Sequence, residues 1–242
     1  MQFKAFNQTF TVNIVWCVIT VAAMLILIKL AWWQLQRAQE KEQQLSQLAV
    51  LQAEGAIGWS QLRQLAPADA DGIPVKDHGY WLEPYIWLLD NQIVAGRVGY
   101  DVIIPVQFRQ DEPALLVNLG WIAAADSRSE LPQPEIPSQI SVDGLLRSRL
   151  GNFRLGQNME HRQGWPVRLQ QIETAEIAAL LPVALYPAMV YQQQETRFKP
   201  HYQPVVLPPE KHRAYALQWF LLAVAVVGVA LAASVRQGKH HE

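Results

Sequence analysis

His212 lies at the start of a long apolar segment near the C-terminus, where an imidazole could bind a metal. On a helix, one face of this stretch, HRAYALQW, carries His212, Tyr215 or Ala216, and Trp219. A neutral imidazole is a good axial ligand for haem iron, and the neighbouring aromatic side chains offer surface to a macrocycle. From the residues alone an interfacial anchor is the simpler interpretation, because a polar side chain costs little at a membrane boundary. The residues alone leave both interpretations open.

Basic side chains are expected near the same membrane boundary. Arg37 and Lys41 follow the first apolar segment, and Arg213 follows His212 directly. Guanidinium and ammonium groups pair well with carboxylates. These three residues are therefore candidate partners for the propionates of a macrocycle bound at His212.

The other reactive side chains form no known catalytic motif. The sequence contains no GxSxG, HExxH, GxGxxG or GxxxxGK[ST]. Two histidines lie in the middle segment, His78 and His161, and His201 lies in the proline-rich stretch after it. Each is more simply interpreted as a surface or turn residue than as a catalytic one. Carboxylate pairs leave little signature, and the candidates for such a pair are Asp77, Asp90 and Asp101. We predict no catalytic residue and no enzyme activity.

Cysteine usage and charge narrow the possibilities further. The single cysteine, Cys17, lies in the first apolar segment, so the middle of the chain has no disulfide, no cysteine metal site and no CxxCH for covalent haem. The only metal expected is haem iron on His212. The residues from Ala38 to Pro209 carry 13 Lys or Arg against 19 Asp or Glu, while the ends are basic. This distribution suits a membrane-flanked domain and argues against nucleic acid as a partner.

Two apolar segments are long enough to cross a bilayer, which takes about 20 apolar residues. The first, 10–33, carries only Lys29, and the second, 212–235, is uncharged from Ala214 onward. Tryptophans at their domain-side ends fit interfacial belts. We predict two transmembrane helices, the first an uncleaved anchor rather than a signal peptide, with both termini on one side.

The residues between the two spans change in character after about the first thirty. Segment 34–66 is predicted to be an amphipathic helix broken at Gly55 and Gly58, because leucines recur among Gln, Glu and Lys. Residues 67–209 form a β-rich domain with short runs separated by Pro, Gly, Asn and Asp. Residues 1–9 and 236–242 are left as short tails.

Seven strands are predicted within the β-rich domain: Val75–Leu82, Tyr85–Leu89, Gly99–Ile104, Leu115–Asn118, Ile140–Leu146, Val167–Gln170 and Met189–Gln192. Asp90-Asn91 is predicted as a turn, and Thr174 as the N-cap of a short helix that ends at Leu181. The fold class is therefore membrane-anchored α+β, with one transmembrane helix near each terminus flanking an antiparallel barrel- or sandwich-like soluble domain.

Three motifs occur in order along the chain. Trp33-Gln34-Leu35 with Arg37 and Lys41 is similar to GxWQxxRxxxK, with Ala31 in place of the glycine. Gly99-Tyr100 with Pro105, followed by Val117–Trp121, is similar to a G(Y/W) segment and VNRGW, with Leu119 in place of the arginine. His212–Phe220 is similar to HxxYAxxWF. Together they resemble the surfeit-locus (Shy-type) cytochrome c oxidase assembly family.

This resemblance implies assembly rather than turnover. Members are two-span proteins that assist maturation of the large subunit of haem-copper oxidase, and bacterial members are linked to haem a binding and delivery. For this chain the resemblance implies a bacterial inner (cell) membrane protein with a periplasmic central domain and cytoplasmic tails. His212 becomes the candidate haem a ligand, with Tyr215 and Trp219 as supporting neighbours.

The implied partners are the lipid bilayer, cytochrome c oxidase subunit I and haem a synthase. Two other functions stay open: a structural or accessory subunit of a respiratory complex, and, ranked lower, a membrane-anchored periplasmic hydrolase or transferase. Stoichiometric co-purification with mature oxidase would indicate a subunit, whereas enrichment with immature subunit I would indicate an assembly factor.

Overall fold

The computed structural model of the chain describes residues 2–5, 8–11, 13–125, 127, 130–150, 158–160, 164–204 and 207–239. The chain divides into two compact units. The helical unit comprises Met1–Gln47 and Val205–Glu242, and the barrel unit comprises Leu48–Pro204. Each unit is described by itself.

The helical unit contains both membrane-length helices, as predicted. Helix α1 is Ile14–Ala53 and runs on into the barrel unit; the C-terminal helix, named α4 below, is Pro209–Lys239. Both are long and apolar enough to span a membrane. Asn13 caps α1, its Oδ1 accepting the amide of Val15 at 3.0 Å. At about 1.5 Å per residue α1 is about 60 Å long, roughly twice the hydrocarbon thickness, so the predicted helical segment at 34–66 begins as a continuation of the span.

The N-terminal tail holds a hairpin that the sequence interpretation missed. Strand β1, Gln2–Ala5, pairs antiparallel with β2, Gln8–Thr11. Thr9, Phe10 and Thr11 favour extended backbone, which explains the strand, although the segment is too short for periodicity to reveal it. At the other end, α4 continues as far as Lys239, into the predicted tail.

All seven predicted strands of the barrel unit are present, most of them longer than predicted. They are β3 Pro74–Trp81, β4 Trp87–Val94, β5 Arg97–Gln107, β6 Ala114–Ala123, β7 Gln139–Arg147, β8 Val167–Leu169 and β9 Leu185–Gln192. Five of them close into a barrel in the order β3-β7-β9-β6-β5, with β5 returning to β3 through Trp81↔Val106. Strands β4 and β8 extend the sheet beyond β5. The barrel interpretation of the fold class is confirmed.

Two strand pairs in this sheet are parallel, β6 with β9 and β4 with β8, and the others are antiparallel. A parallel pair needs a long crossover. The crossover from β6 to β9 contains β7, β8 and the short helix α3, Thr174–Ala178, and the one from β4 to β8 contains β5, β6 and β7. Composition and strand spacing carry no information about such a crossover, so an antiparallel arrangement throughout was the natural expectation.

Strand β5 is buried on both of its faces, because alternate side chains of a strand point to opposite sides. Val102, Ile104 and Val106 belong to the main core, whereas Ile103 belongs to a second cluster with Trp87. The main core also includes Trp59 of α2, Trp59–Leu62, which follows the predicted break in the helix. Trp59 stacks on Phe108 with ring centroids 5.2 Å apart.

Two local predictions were wrong. Asp90-Asn91 is not a turn: β4 continues through it with a register shift between Leu89 and Gln92, and Asn91 takes up a φ of 59°. The chain turns instead at Ala95-Gly96, where φ is 51° and 77°, the two positive values of a type I′ hairpin. The cap of α3 is Glu173, and Thr174 is the first helical residue.

After β9 the chain returns across β6 as a short strap, residues 199–202. The amide of Trp121 donates to the carbonyl of Lys199 at 2.8 Å, and the amide of Lys199 donates back at 3.0 Å. Gly120 lies beneath the strap with φ 120°, and a Cβ there would be 2.9 Å from the Lys199 carbonyl carbon and oxygen. The glycine of the Val117–Trp121 motif is therefore required both for its backbone conformation and for the strap to pass.

We expect Gly120→Ala to lower the free energy of unfolding by about 3 kcal/mol, from backbone strain together with the forced displacement of the strap. The matched control is Gly96→Ala, whose φ of 77° is also positive but whose added Cβ would have nothing within 4 Å. That variant should lose only about 1 kcal/mol. Chemical unfolding of the solubilised protein, followed by tryptophan fluorescence, measures both. Equal losses would contradict the strap contact.

Candidate functional site

The first and third sequence motifs meet in the helical unit at one hydrogen bond. Nδ1 of His212, in α4, lies 2.8 Å from Oε1 of Gln34, in α1, although the two residues are 178 apart in the chain. His212 is only 8% exposed. A largely buried imidazole needs a hydrogen-bonding partner, and Gln34 supplies it.

The partner determines how the imidazole is protonated. Because the Gln34 oxygen can only accept, the Nδ1 of His212 carries the hydrogen and donates it. In the neutral imidazole the lone pair is then on Nε2, which makes no hydrogen bond to the described part of the chain. Histidines that bind metals through one nitrogen usually donate the other N–H to a fixed acceptor, so this arrangement is suited to an axial ligand.

The neighbours of His212 on α4 divide between two faces. Ala216 is buried and Trp219 half-buried, and their spacing of four and seven residues places them on the His212 face. Tyr215 is 41% exposed. Of the two alternatives at the middle position of that face, the structure selects Ala216, and Tyr215 lies to one side.

The corresponding face of α1 is built from small residues on either side of Gln34. Ala31 is 8% exposed and Ala38 is 2% exposed, three residues before and four residues after the glutamine. Small side chains let two helix backbones approach closely within a membrane. Ala31, where the motif has glycine, is likewise a small residue.

The structure gives the three basic candidates partners other than His212. Arg37 binds Glu40 at 2.6 Å and lies 5.6 Å from the Trp33 ring centroid. Arg213 donates to Glu42. Lys41 donates to a glutamine, Gln44, at 2.9 Å. Both arginine side chains are about half exposed, so they stay accessible, but their acidic partners would have to be displaced before they could bind propionates.

The three aspartates that were candidates for a catalytic carboxylate pair each hydrogen-bond to different groups of the barrel unit. Asp77 accepts the amides of Trp59 and His78, and Asp90 accepts that of Asn91. Asp101 binds His201, with 2.6 Å between Oδ1 and Nε2. His161 lies outside the described residues. Within the described residues no group of three or more His, Cys, Asp or Glu could hold a metal ion.

Gln34 is the partner of His212 that sequence reasoning did not assign, although it belongs to the first motif. The available signal was its spacing, since a polar side chain three residues after Ala31 and four before Ala38 lies on the face that a partner helix would cover. The identity of the partner could not follow from that spacing.

Two membrane-length helices flanking a closed five-stranded barrel, with a histidine–glutamine pair joining the helices, define a two-span, membrane-anchored barrel protein. The model of the SURF1 family matches residues 21–224, which include all three motifs. The chain belongs to the SURF1 family, which is known for cytochrome oxidase assembly, and its apolar helices fit an inner-membrane protein. No individually curated protein matches it.

A double-mutant cycle of Gln34→Leu and His212→Leu should give a coupling energy of about 1 kcal/mol, typical of interhelical hydrogen bonds in membranes. The measurement is unfolding of the purified protein in mixed micelles. The control cycle pairs His212→Leu with Arg37→Ala, because Arg37 contacts Glu40 rather than the histidine. We expect additivity there. Coupling near zero in the first cycle would contradict the Gln34–His212 bond.

Proposed function

We propose that this protein assists cytochrome c oxidase assembly by holding haem a on His212 during its delivery to subunit I. The observation that carries the proposal is the Gln34–His212 hydrogen bond at 2.8 Å, which leaves the lone pair of the imidazole on Nε2. Membership of an oxidase assembly family supplies the biological context.

The side chains around His212 are of the chemical types that bind haem. Haem supplies an iron that accepts a nitrogen lone pair, and Nε2 of His212 offers one. Trp219 and the exposed Tyr215 provide aromatic surface, and the half-exposed Arg37 and Arg213 provide cations for propionates. Gln34 would act as a positioning residue, since an outer hydrogen bond of this kind is commonly worth about 10–100-fold in metal affinity.

The burial of His212 suits a carrier better than a permanent haem protein. With 8% of the residue exposed, ligation requires neighbouring side chains to move, and that cost lowers the apparent affinity. A carrier must give up its haem to an acceptor, so a moderate affinity is useful. A single, largely buried imidazole meets this requirement.

The proposal also includes a direction of transfer and an orientation. His212 lies in the first turn of α4, so haem would be handled at the end of the second span that follows the barrel unit in sequence. We propose a bacterial inner membrane with the barrel in the periplasm and both termini in the cytoplasm. Haem a synthase is then the donor and subunit I the acceptor.

Protein purified from cells that make haem a should show the absorption spectrum of a bound haem with one histidine ligand. His212→Ala should reduce bound haem per protein at least about tenfold, because the axial ligand is lost, and Gln34→Leu should reduce it less. His78→Ala is the matched control, since His78 is exposed on the barrel unit and should leave the spectrum unchanged. Reduced-minus-oxidised spectra and haem extraction give the measurement. An unchanged spectrum in His212→Ala would remove the ligand assignment.

A further inference from the structure

The hairpin between β4 and β5 ends in an apolar tip. Ile93 and Val98 lie directly opposite each other in this antiparallel pair, and they are 67% and 52% exposed. Side chains of directly opposed residues share one face of the hairpin and are close enough to contact each other. No other large apolar side chain in the described part of the barrel unit is as exposed as Ile93. The turn beyond the pair, Ala95-Gly96, carries no polar side chain.

The exposed face of the tip continues the face of β5 that packs into the main core. Alternate side chains of a strand point to the same side, so Val98 shares its side of β5 with Tyr100 and Val102. Both of those residues are buried in the main core, whereas half of Val98 is exposed. The solvated part of an antiparallel sheet is ordinarily polar. Here the apolar pattern continues beyond the end of the core.

The opposite face of the hairpin is covered, and this contact fixes the tip to the barrel unit. Gln92 and Gly99 form the neighbouring cross-strand pair. The indole N–H of Trp121 donates to the carbonyl of Gln92 at 3.0 Å. A Cβ on Gly99 would be 2.5 Å from atoms of the same indole, so the ring lies directly against this glycine. The tip is therefore a fixed projection with one covered face and one apolar, exposed face.

Arg97 is the one charged residue of segment 91–99, which contains no acidic side chain. Its side chain is exposed and makes no hydrogen bond or ion pair in the described part of the chain. The chain from Ala38 to Pro209 is acidic overall, so a cation beside two exposed aliphatic side chains is a local exception. This combination suits a membrane–water interface, where a guanidinium binds lipid phosphates and apolar side chains enter the acyl boundary.

A bilayer fits this small surface better than a protein partner does. A stable protein interface buries about 800 Å² on each partner, far more than two aliphatic side chains and a turn can offer. A bilayer requires no matching shape, and two membrane-length helices attach the chain to one. Because attachment raises the effective concentration of lipid around the barrel unit, even weak insertion of the tip is populated.

We propose that the tip of the β4–β5 hairpin is a lipid-docking element, additional to the two membrane helices. Ile93 and Val98 insert at the bilayer interface, and Arg97 binds the headgroups of anionic phospholipids. The element holds the barrel unit at the lipid surface through the barrel's own side chains. It does not depend on whether haem binds at His212.

A fluorescent label in the turn of the tip tests this docking on the full chain. With Cys17→Ser as background, Ala95→Cys carries an environment-sensitive dye, and the protein is placed in nanodiscs that contain phosphatidylglycerol and nitroxide-labelled lipid. We expect blue-shifted emission and strong quenching by the nitroxide. The control label is Gln110→Cys, an exposed position in the loop after the other end of β5, where the dye should stay in water and show little quenching.

Two variants separate the aliphatic and the charged parts of the proposal. The double variant Ile93→Thr with Val98→Thr keeps β-branched side chains but removes apolar surface, and it should lower the ratio of docked to free tip about tenfold. Arg97→Gln should lower this ratio about fivefold in phosphatidylglycerol and leave it unchanged in pure phosphatidylcholine. The fluorescence lifetimes of the dye at position 95 give the two populations.

The matched control is Leu180→Thr, which removes an aliphatic side chain that is 45% exposed elsewhere on the barrel unit and should leave the ratio unchanged. Circular dichroism should show an intact fold in every variant. A dye at position 95 that stays in water in nanodiscs of lipid alone, as it would if the tip bound a protein instead, would overturn the proposal. Quenching in the double variant equal to that of the unsubstituted tip would overturn it as well.

Discussion

The structure of the membrane part depends on burying one imidazole next to an apolar span. Removing His212 from water is costly unless its ring nitrogen finds a partner, and Gln34 is that partner at 2.8 Å. The bond requires α1 and α4 to be adjacent at this level, and Ala31 and Ala38, on the same face of α1 as Gln34, are buried. Residues from the two ends of the chain are thereby brought into one site, although the whole barrel unit lies between them in sequence.

The second motif serves the barrel in a comparable way. Asn118 holds the buried Asp101, Gly120 makes room for the strap, and the backbone of Trp121 pairs with it. The motif thus explains how the chain leaves the barrel on its way to α4. Leu119, which stands where the family pattern has arginine, is 6% exposed and belongs to the main core. In this chain the position therefore contributes to apolar packing and carries no charge.

Local signals in the sequence were enough for the elements but not for the contacts between them. Hydropathy revealed both spans, and alternation between turn residues revealed all seven strands of the barrel, because each depends on a short window. The turn after β4 was predicted too early, because Asp90-Asn91 is a stronger turn sequence than Ala95-Gly96. Pairing with β5 instead continues β4 through Asp90-Asn91, and the chain turns at Ala95-Gly96. The Gln34–His212 and Asp101–His201 bonds join residues that only the folded topology brings together.

The central claim is that His212 holds haem a on its way to subunit I, and the most direct test is made in cells. In a strain that lacks the gene, the wild-type, His212→Ala and His78→Ala proteins are expressed in turn. Haem a is then measured per molecule of immunoprecipitated subunit I. The account predicts that His212→Ala leaves subunit I present but deficient in haem a, while His78→Ala matches the wild type. A normal haem a content with His212→Ala would contradict it.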